Sequence, residues 1–425
     1  MVASLYVNVF WEYSKNMKKA FLIILLLAVG CAAIAFFVYR YGSFHIPPMA
    51  EPPIAGPSAT SSLAEFSVPE GFALSIYADN VPDARVMLVA PNGALLVSQP
   101  SEGTITAVVD ANGDGVAEQK TIVVSDLNLP HGMAFRCTDP DQPDKCDFYV
   151  AEKDQLSVFS YDAIIMKASG QKKLLDLPDG SIGTHFTRTL QFLAYPDDAT
   201  LLISIGSSCN VCREDDSRRA SIIAYDVLTG KSEPFAVGLR NSVFMALHPV
   251  TGDVWATEMG RDGLGDNTPP DEINIIRKGS NYGWPICYGK NIHDTSFDKN
   301  TYIRNPCMTP FETPSRVDLQ AHSAPLGLAF IPEEGWPEAD WFNLLVAYHG
   351  SWNRSEPTGY KIVKIALNAQ GTSVGATEDF ITGWLRPDGA RIGRPADIHV
   401  FPGGTIYISD DEAGRIYIVR RTAME

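Results

Sequence analysis

The sequence predicts an all-β chain folded as a six-bladed β-propeller and preceded by one N-terminal transmembrane helix. Three observations carry that prediction: a turn-rich composition, a strand-and-turn unit that recurs six times, and one long uncharged apolar run near the start. Of the 425 residues 45% are hydrophobic, enough for a sizeable core, while only 20% are charged, and glycine (34) and proline (29) are abundant. Gly and Pro interrupt helices and serve tight turns, so this balance suits β-structure better than helices. The net charge of −16 repels phosphate backbones, so no nucleic-acid partner is expected.

The apolar run is AFLIILLLAVGCAAIAFFVY, Ala20 to Tyr39, without a formal charge. As a helix it is long enough to cross a bilayer core of roughly 30 Å. Lys15, Lys18 and Lys19 precede it and Arg40 follows. Positive charge concentrated before the run places the N-terminus in the cytoplasm and everything after Arg40 outside. The expected organisation is a cytoplasmic segment (1–19), an anchor (20–40), a Pro-, Ala- and Ser-rich linker (41–62) and the propeller (63–425). That describes a single-pass protein of a bacterial inner membrane with its domain in the periplasm. A cleaved signal peptide and a lipoprotein attached at Cys31 are the alternatives; each also exports the domain.

The repeated unit is an apolar run, a turn with Gly, Pro or Asp, a second strand, a polar turn and a third strand. Copies begin at Met87, Met133, Leu190, Met245, Leu328 and Ile398. A four-stranded blade needs about forty to fifty residues, and the copies are spaced to hold one blade each, with the excess in loops. Recurrent Gly turns without helical periodicity between strands favour a propeller over an α/β fold; a β-sandwich or solenoid is the alternative. The segment Glu65–Asp79 precedes the first copy. It is expected to supply the outer strand of the last blade, closing the ring and hiding a sheet edge.

Cysteine usage agrees with export. Cys31 lies in the apolar run, and the other six residues can form three pairs across short spacings: Cys137 with Cys146, Cys209 with Cys212, and Cys287 with Cys307. Local disulfides fit an oxidising compartment. Cys209-x2-Cys212 is also half of a zinc site, but no second CxxC or HxxxH completes it.

Propellers bind ligands where loops from several blades converge at one end of the channel. Four loops carry chemistry. His185 and Arg188 precede the third copy; a cation beside an imidazole favours its neutral form and so its use as a base. Arg240 and Asn241 precede the fourth and suit an anion or a carbonyl oxygen. The stretch from Glu258 to Pro285 includes Gly260, Arg261 and the run DGLGDNTPP, and is rich in the oxygen ligands that Ca²⁺ takes. Asp110, Asn112 and Asp114 begin a DxNxDG run that imitates a calcium loop. No helices flank it and its twelfth position is Thr121, so a plain hairpin turn is an equal reading.

In order along the chain, HFTRTL, LLISIGSSCNVC, GLRNSVFMALHP, DEINIIRKGSNYGWP, HGSWNRSEPTGYKIVKI and GRPADIHVFPGG resemble the pyrroloquinoline quinone (PQQ)-dependent sugar dehydrogenases. The branch called L-sorbosone dehydrogenase-like is the nearest, and the similarity runs from about Phe66 to Arg421. The resemblance implies a propeller that holds PQQ and Ca²⁺ at the channel mouth and oxidises an aldose or related lactol. Electrons would leave to a membrane quinone or a periplasmic cytochrome. It implies His185 as the proton acceptor, Arg240 and Asn241 on the quinone oxygens, and the backbone carbonyls of Gly260 and Arg261 on the calcium ion. Arg354 and Arg394 then hold cofactor carboxylates. Three departures stand out: Ala396 replaces the second arginine of a clamping pair, Asp262–Pro270 lengthens the calcium loop, and Thr184 precedes His185 where glucose-oxidising members carry Asp. His131 and His322 also precede inner strands, but no role transfers to them. Two other readings stay open: a non-catalytic propeller binding sugar or protein, and a metal-dependent lactonase. The latter would need Glu, Asn and Asp side chains converging on a channel-centred Ca²⁺.

Overall fold

The computed structural model describes residues 63–138, 145–179, 185–372 and 374–422. By its contacts the chain divides into Met1–Met49 and Ala50–Glu425, and all described residues belong to the second unit. The expected cytoplasmic segment, anchor and linker lie outside the described residues, as does Thr184. Among the described residues no helix is long and apolar enough to cross a membrane.

The described chain is all β apart from two 3₁₀ turns, and its main sheets form six blades. Blade 1 comprises Met87–Val89, Leu95–Gln99, Thr104–Val109 and Gln119–Val124. Blade 2 comprises Met133–Arg136, Lys145–Ala151, Gln155–Asp162 and Lys167–Asp176. Blade 3 comprises Leu190–Phe192, Thr200–Ile205, Ser221–Asp226 and Ser232–Val237, with Ser280–Asn281 added in parallel at its edge. Blade 4 comprises Met245–Leu247, Val254–Glu258, Asp271–Ile276 and Val317–Leu319. Blade 5 comprises Pro325–Phe330, Leu344–Tyr348, Lys361–Leu367 and Val374–Ile381. Blade 6 takes Pro395–Phe401, Thr405–Asp410 and Arg415–Arg421 from the C-terminus and Phe72–Ala78 from the start of the domain. The first four repeat copies begin where their blades do; the last two blades start three residues earlier than the pattern indicates.

The expected closure is present. Phe72–Ala78 pairs antiparallel with Arg415–Arg421, from Phe72 opposite Arg421 to Ala78 opposite Ile416. Aromatic packing seals it: Phe72 stacks on Trp336 at 5.6 Å, and Phe66 meets the edge of the buried Trp384 at 4.8 Å. The N-terminal strand covers the outer edge of Arg415–Arg421 and joins the two ends of the domain.

Burial follows the radius of the ring. The second strands Leu95–Gln99, Thr200–Ile205 and Leu344–Tyr348 are packed on both faces and read as near-continuous aliphatic runs. The outer strand Lys167–Asp176 is largely exposed and polar. Three core clusters sit between neighbouring blades (2 and 3, 3 and 4, 5 and 6), and another joins residues of blades 1, 2, 4 and 5. All three expected disulfides form: Cys137–Cys146, Cys209–Cys212 and Cys287–Cys307. The CNVC pair is therefore a disulfide and not half of a zinc site.

Candidate active site at the channel mouth

Loops from blades 3 to 6 enclose a pocket of about 380 Å³, lined among others by His185, Asn210, Arg240, Gly260, Asp262, His322, His349 and Arg394. That volume lies in the range of small-molecule sites. Each residue is placed by the start or the end of an inner strand, which is why functional side chains far apart in sequence converge there.

His185 is held by Ser207. Its backbone N–H donates to the Ser207 carbonyl at 3.2 Å. Its Nδ1 lies 3.1 Å from the same carbonyl and 3.0 Å from the Ser207 hydroxyl. That hydroxyl gives its own proton to the Cys209 carbonyl at 2.6 Å. Both neighbours of Nδ1 are therefore acceptors, so Nδ1 carries the proton and Nε2 keeps a lone pair. Burial, and next the charge of Arg240, push the His185 pKa down to about 3. The ring is thus neutral over the whole physiological range. The same field makes it a weak base until negative charge builds beside Arg240.

Arg240 is almost fully buried and densely held. Its Nε donates to the Asn210 carbonyl at 2.9 Å, and one terminal nitrogen reaches Asn210 Oδ1 at 3.0 Å and Asp262 Oδ2 at 3.3 Å. Asn241 is set behind the wall rather than on it. Its Nδ2 contacts Met259 Sδ at 3.4 Å and its Oδ1 accepts from Thr187 at 3.2 Å.

Gly260 lines the pocket, and its N–H donates to Asp271 at 2.9 Å. Burial pushes the Asp271 pKa up to about 6, although Gly260 and Ala324 N–H groups favour its charged form. The carbonyls of Gly260 and Arg261 accept no hydrogen bond from a described residue. These two carbonyls, left without a described donor, are hard oxygen ligands of the kind that suits Ca²⁺. The Arg261 side chain turns away and pairs with Asp294 at 2.7 Å.

Arg394 also lines the pocket, donating to the His349 and Gly350 carbonyls at 3.1 and 2.7 Å. Arg354, in contrast, does not line the pocket. Its guanidinium donates to the Asp266 carbonyl and to Asn267 Oδ1 at 3.3 Å, both on the lengthened loop. Ala396 is wholly buried in the core. The positive wall facing an anionic ligand therefore consists of Arg240 and Arg394.

His322, singled out in the sequence by its place before an inner strand, is on the pocket wall, whereas His349 escaped the sequence reading. His322 lines the pocket with both nitrogens satisfied, Nε2 on the Gly265 carbonyl at 2.9 Å and Nδ1 near the Asn353 amide at 3.2 Å. His349 donates from Nε2 to Asp411 at 2.9 Å, and Asp411 also pairs with Arg85 at 2.5 Å. His349 sits in the HGSWNR run, a signal that could have found it. Arg85 and Asp411 are 326 residues apart and meet only because the ring closes. His131 is completely buried, with its ring against Phe186 and Phe244, and is not on the pocket wall.

The DxNxDG run forms the hairpin between the last two strands of blade 1. Asp110 accepts the Gly113 and Gly115 N–H groups at 2.6 and 2.7 Å. Carboxylate oxygens of Asp110, Asp114 and Glu118 lie within 4.8 Å of one another, so Glu118 joins the expected residues. Asn112 turns its amide nitrogen to Glu118 at 2.7 Å.

Comparisons with known proteins bear on the family and the fold. A PQQ-dependent pyranose dehydrogenase of Coprinopsis cinerea is 25% identical over 428 residues, covering 87% of this chain and 56% of that protein. An uncharacterised protein of Borreliella burgdorferi is 38% identical over 220 residues, 52% of this chain and 56% of its own length. The chain thus spans about half the length of these curated relatives. In fold it matches a Trichoderma reesei carbohydrate-active enzyme of family AA12, with a TM-score of 0.70 and 21% identity over 84% of this chain and 98% of that one. It also matches the PQQ-bound aldose sugar dehydrogenase of Streptomyces coelicolor, with a TM-score of 0.57 and 18% identity over 83% and 99% of the two chains. The TrAA12-like family model matches residues 66–422, all but a few residues of the propeller, and the chain belongs to that family.

Proposed function

We propose that this protein oxidises an aldose or related lactol sugar with PQQ and Ca²⁺ at the channel mouth. The observation that carries the reading is His185: a neutral imidazole, its Nδ1 proton committed to Ser207 and its Nε2 lone pair uncommitted, next to Arg240 in a ligand-sized pocket. The pyranose dehydrogenase named among the relatives supports the substrate class.

In this reading His185 Nε2 takes the proton of the anomeric hydroxyl. Arg240 faces the oxygens on which negative charge develops, where a fixed cation stabilises most. Held beside His185, the Arg240 charge also keeps the imidazole neutral and so able to accept a proton. Arg394 holds a cofactor carboxylate, and Asn241 supports the wall from behind. The Gly260 and Arg261 carbonyls hold the calcium ion. Bound PQQ would supply the two-electron acceptor. Arg354, engaged by the lengthened loop, contributes only if that loop yields it. A second, peripheral Ca²⁺ belongs to Asp110, Asn112 and Asp114, with Glu118 added. Residues 20–40 anchor the chain in a bacterial inner membrane with the propeller in the periplasm, near a quinone or cytochrome acceptor.

The test is dye reduction by protein reconstituted with PQQ and Ca²⁺ over a panel of aldoses, beside His185→Ala. Sugar-dependent reduction that falls at least ~100-fold in the variant is expected. No reduction with any sugar would favour a non-catalytic propeller, and full activity of the variant would remove His185 from the chemistry.

A further inference from the structure

One short segment touches both reactive side chains. Cys209–Cys212 closes a four-residue ring, Cys-Asn-Val-Cys, that begins two residues after Ser207. On one side Ser207 carries His185 Nδ1, and the Ser207 hydroxyl is itself bonded to the Cys209 carbonyl at 2.6 Å. On the other side Asn210, inside the ring, takes the Arg240 guanidinium twice, through its backbone and its side-chain oxygens at 2.9 and 3.0 Å.

The lengthened loop completes the arrangement. Asp262 donates its N–H to Asn210 Oδ1 at 2.8 Å and accepts Asn210 Nδ2 on its carbonyl at 3.1 Å. Its carboxylate reaches Arg240 at 3.3 Å and Asn353 of blade 5 at 2.5 Å. Asn210 thus has every polar side-chain atom engaged, which sets its amide orientation and the direction of its oxygen toward Arg240. A free loop of this size would lose such contacts to backbone entropy; a covalent ring limits the states it can leave to.

We propose that the Cys209–Cys212 ring is a positioning element of the active site, holding the proton acceptor His185 through Ser207 and the cation Arg240 through Asn210, with Asp262 closing the clamp. In this role the ring acts through other residues: it sets the distance and angle between His185 and Arg240. The inference rests on the functional reading above and assigns the disulfide a catalytic purpose beyond stabilising a secreted fold.

The test uses the full chain and two kinds of variant. Asn210→Ala leaves the disulfide intact and removes one bond to Arg240. Cys209→Ser/Cys212→Ser opens the ring. Cys137→Ser/Cys146→Ser, in blade 2 away from the pocket, is the control. In 15N spectra the Arg240 guanidinium protons are expected to exchange with water at least ~10-fold faster in both site variants, at the terminal nitrogen in Asn210→Ala, which loses the side-chain acceptor, and at Nε in the ring-opened variant, which frees the Asn210 carbonyl, and to be unchanged in the control. In the reconstituted enzyme kcat is expected to fall ~10–100-fold with the sugar KM changed less than ~3-fold, the signature of lost orientation rather than lost binding. Unchanged Arg240 exchange in both site variants would overturn the clamp. Faster exchange with unaltered kcat would overturn its catalytic purpose. If the wild type reduces no dye at all, the functional reading fails while the exchange result still decides the clamp.

Discussion

Replacing Gly206 with alanine should disable the pocket while leaving the propeller folded. Gly206 follows the second strand of blade 3, Thr200–Ile205, and packs against His185 and Asn241. A Cβ there would lie 2.5 Å from the His185 Cβ and 2.5 Å from Asn241 Oδ1. Ordinary contact begins near 3.4 Å, so the atoms must separate by about 1 Å. The strand is buried and fixed by its neighbours, so most of that movement falls on the His185 loop. A displacement of about 1 Å at a reacting group costs roughly 100-fold, or about 2.7 kcal/mol of transition-state stabilisation. The overpacking itself should cost about 1–3 kcal/mol of stability, too little to unfold a domain of this size. The assay is kcat/KM for the best aldose with PQQ and Ca²⁺, alongside a melting curve. Gly375→Ala, on the outer strand of blade 5, is the control. Wild-type kcat/KM in Gly206→Ala would refute the placement of His185 against this strand.

Three further outcomes are expected. Arg240→Gln removes a cation that helps depress His185; the acid limb of kcat/KM should move to higher pH, though not to the ordinary histidine value because burial is the larger cause, and an unmoved limb would separate the two residues. Burial raises the Glu272 pKa from 4.5 to about 7, so its stabilising proton is fully bound below pH 4.5 and lost as pH rises through 7. Glu272→Gln should therefore gain stability over wild type at pH 8 relative to pH 5, on the order of 3 kcal/mol, measured by urea unfolding with chelator present; Asn274, whose Oδ1 is unpartnered, can turn to accept the new amide. Trp384→Ala empties a fully buried site at the ring closure and removes the nearer of two donors to Asp410 Oδ2, held at 2.9 Å, leaving the Tyr417 hydroxyl at 3.4 Å; a loss of about 3–5 kcal/mol is expected in denaturant unfolding, and a loss under 1 kcal/mol would mean that the closure contributes little.

The blades were legible because their signal is local. Apolar second strands such as Leu201–Ile205 and turns such as Pro91–Gly93 specify each hairpin from neighbouring residues. The disulfides were legible for the same reason: each joins cysteines no more than 20 positions apart. His185, Arg240, Gly260 and Arg394 were read from short motifs, and the fold brings all four to one pocket. Arg354 was read from an equally good motif, yet the side chain is spent on Asp266 and Asn267. A sequence shows that a loop is longer but not which cation it will take as its partner.

By itself the sequence determined the repeated blade, the closing strand, the three cysteine pairs and the residue types that gather at the channel mouth, because these follow from periodicity, turn chemistry and short spacing. It alone also describes the uncharged run from Ala20 to Tyr39. Only the tertiary structure decided the direction of each functional group: Arg85 on Asp411 across the closed ring, Asn210 and Asp262 on Arg240 from two blades, the Nδ1 proton of His185 on Ser207. Those are choices among competing donors and acceptors, and they are made by desolvation and geometry once distant segments share one buried space.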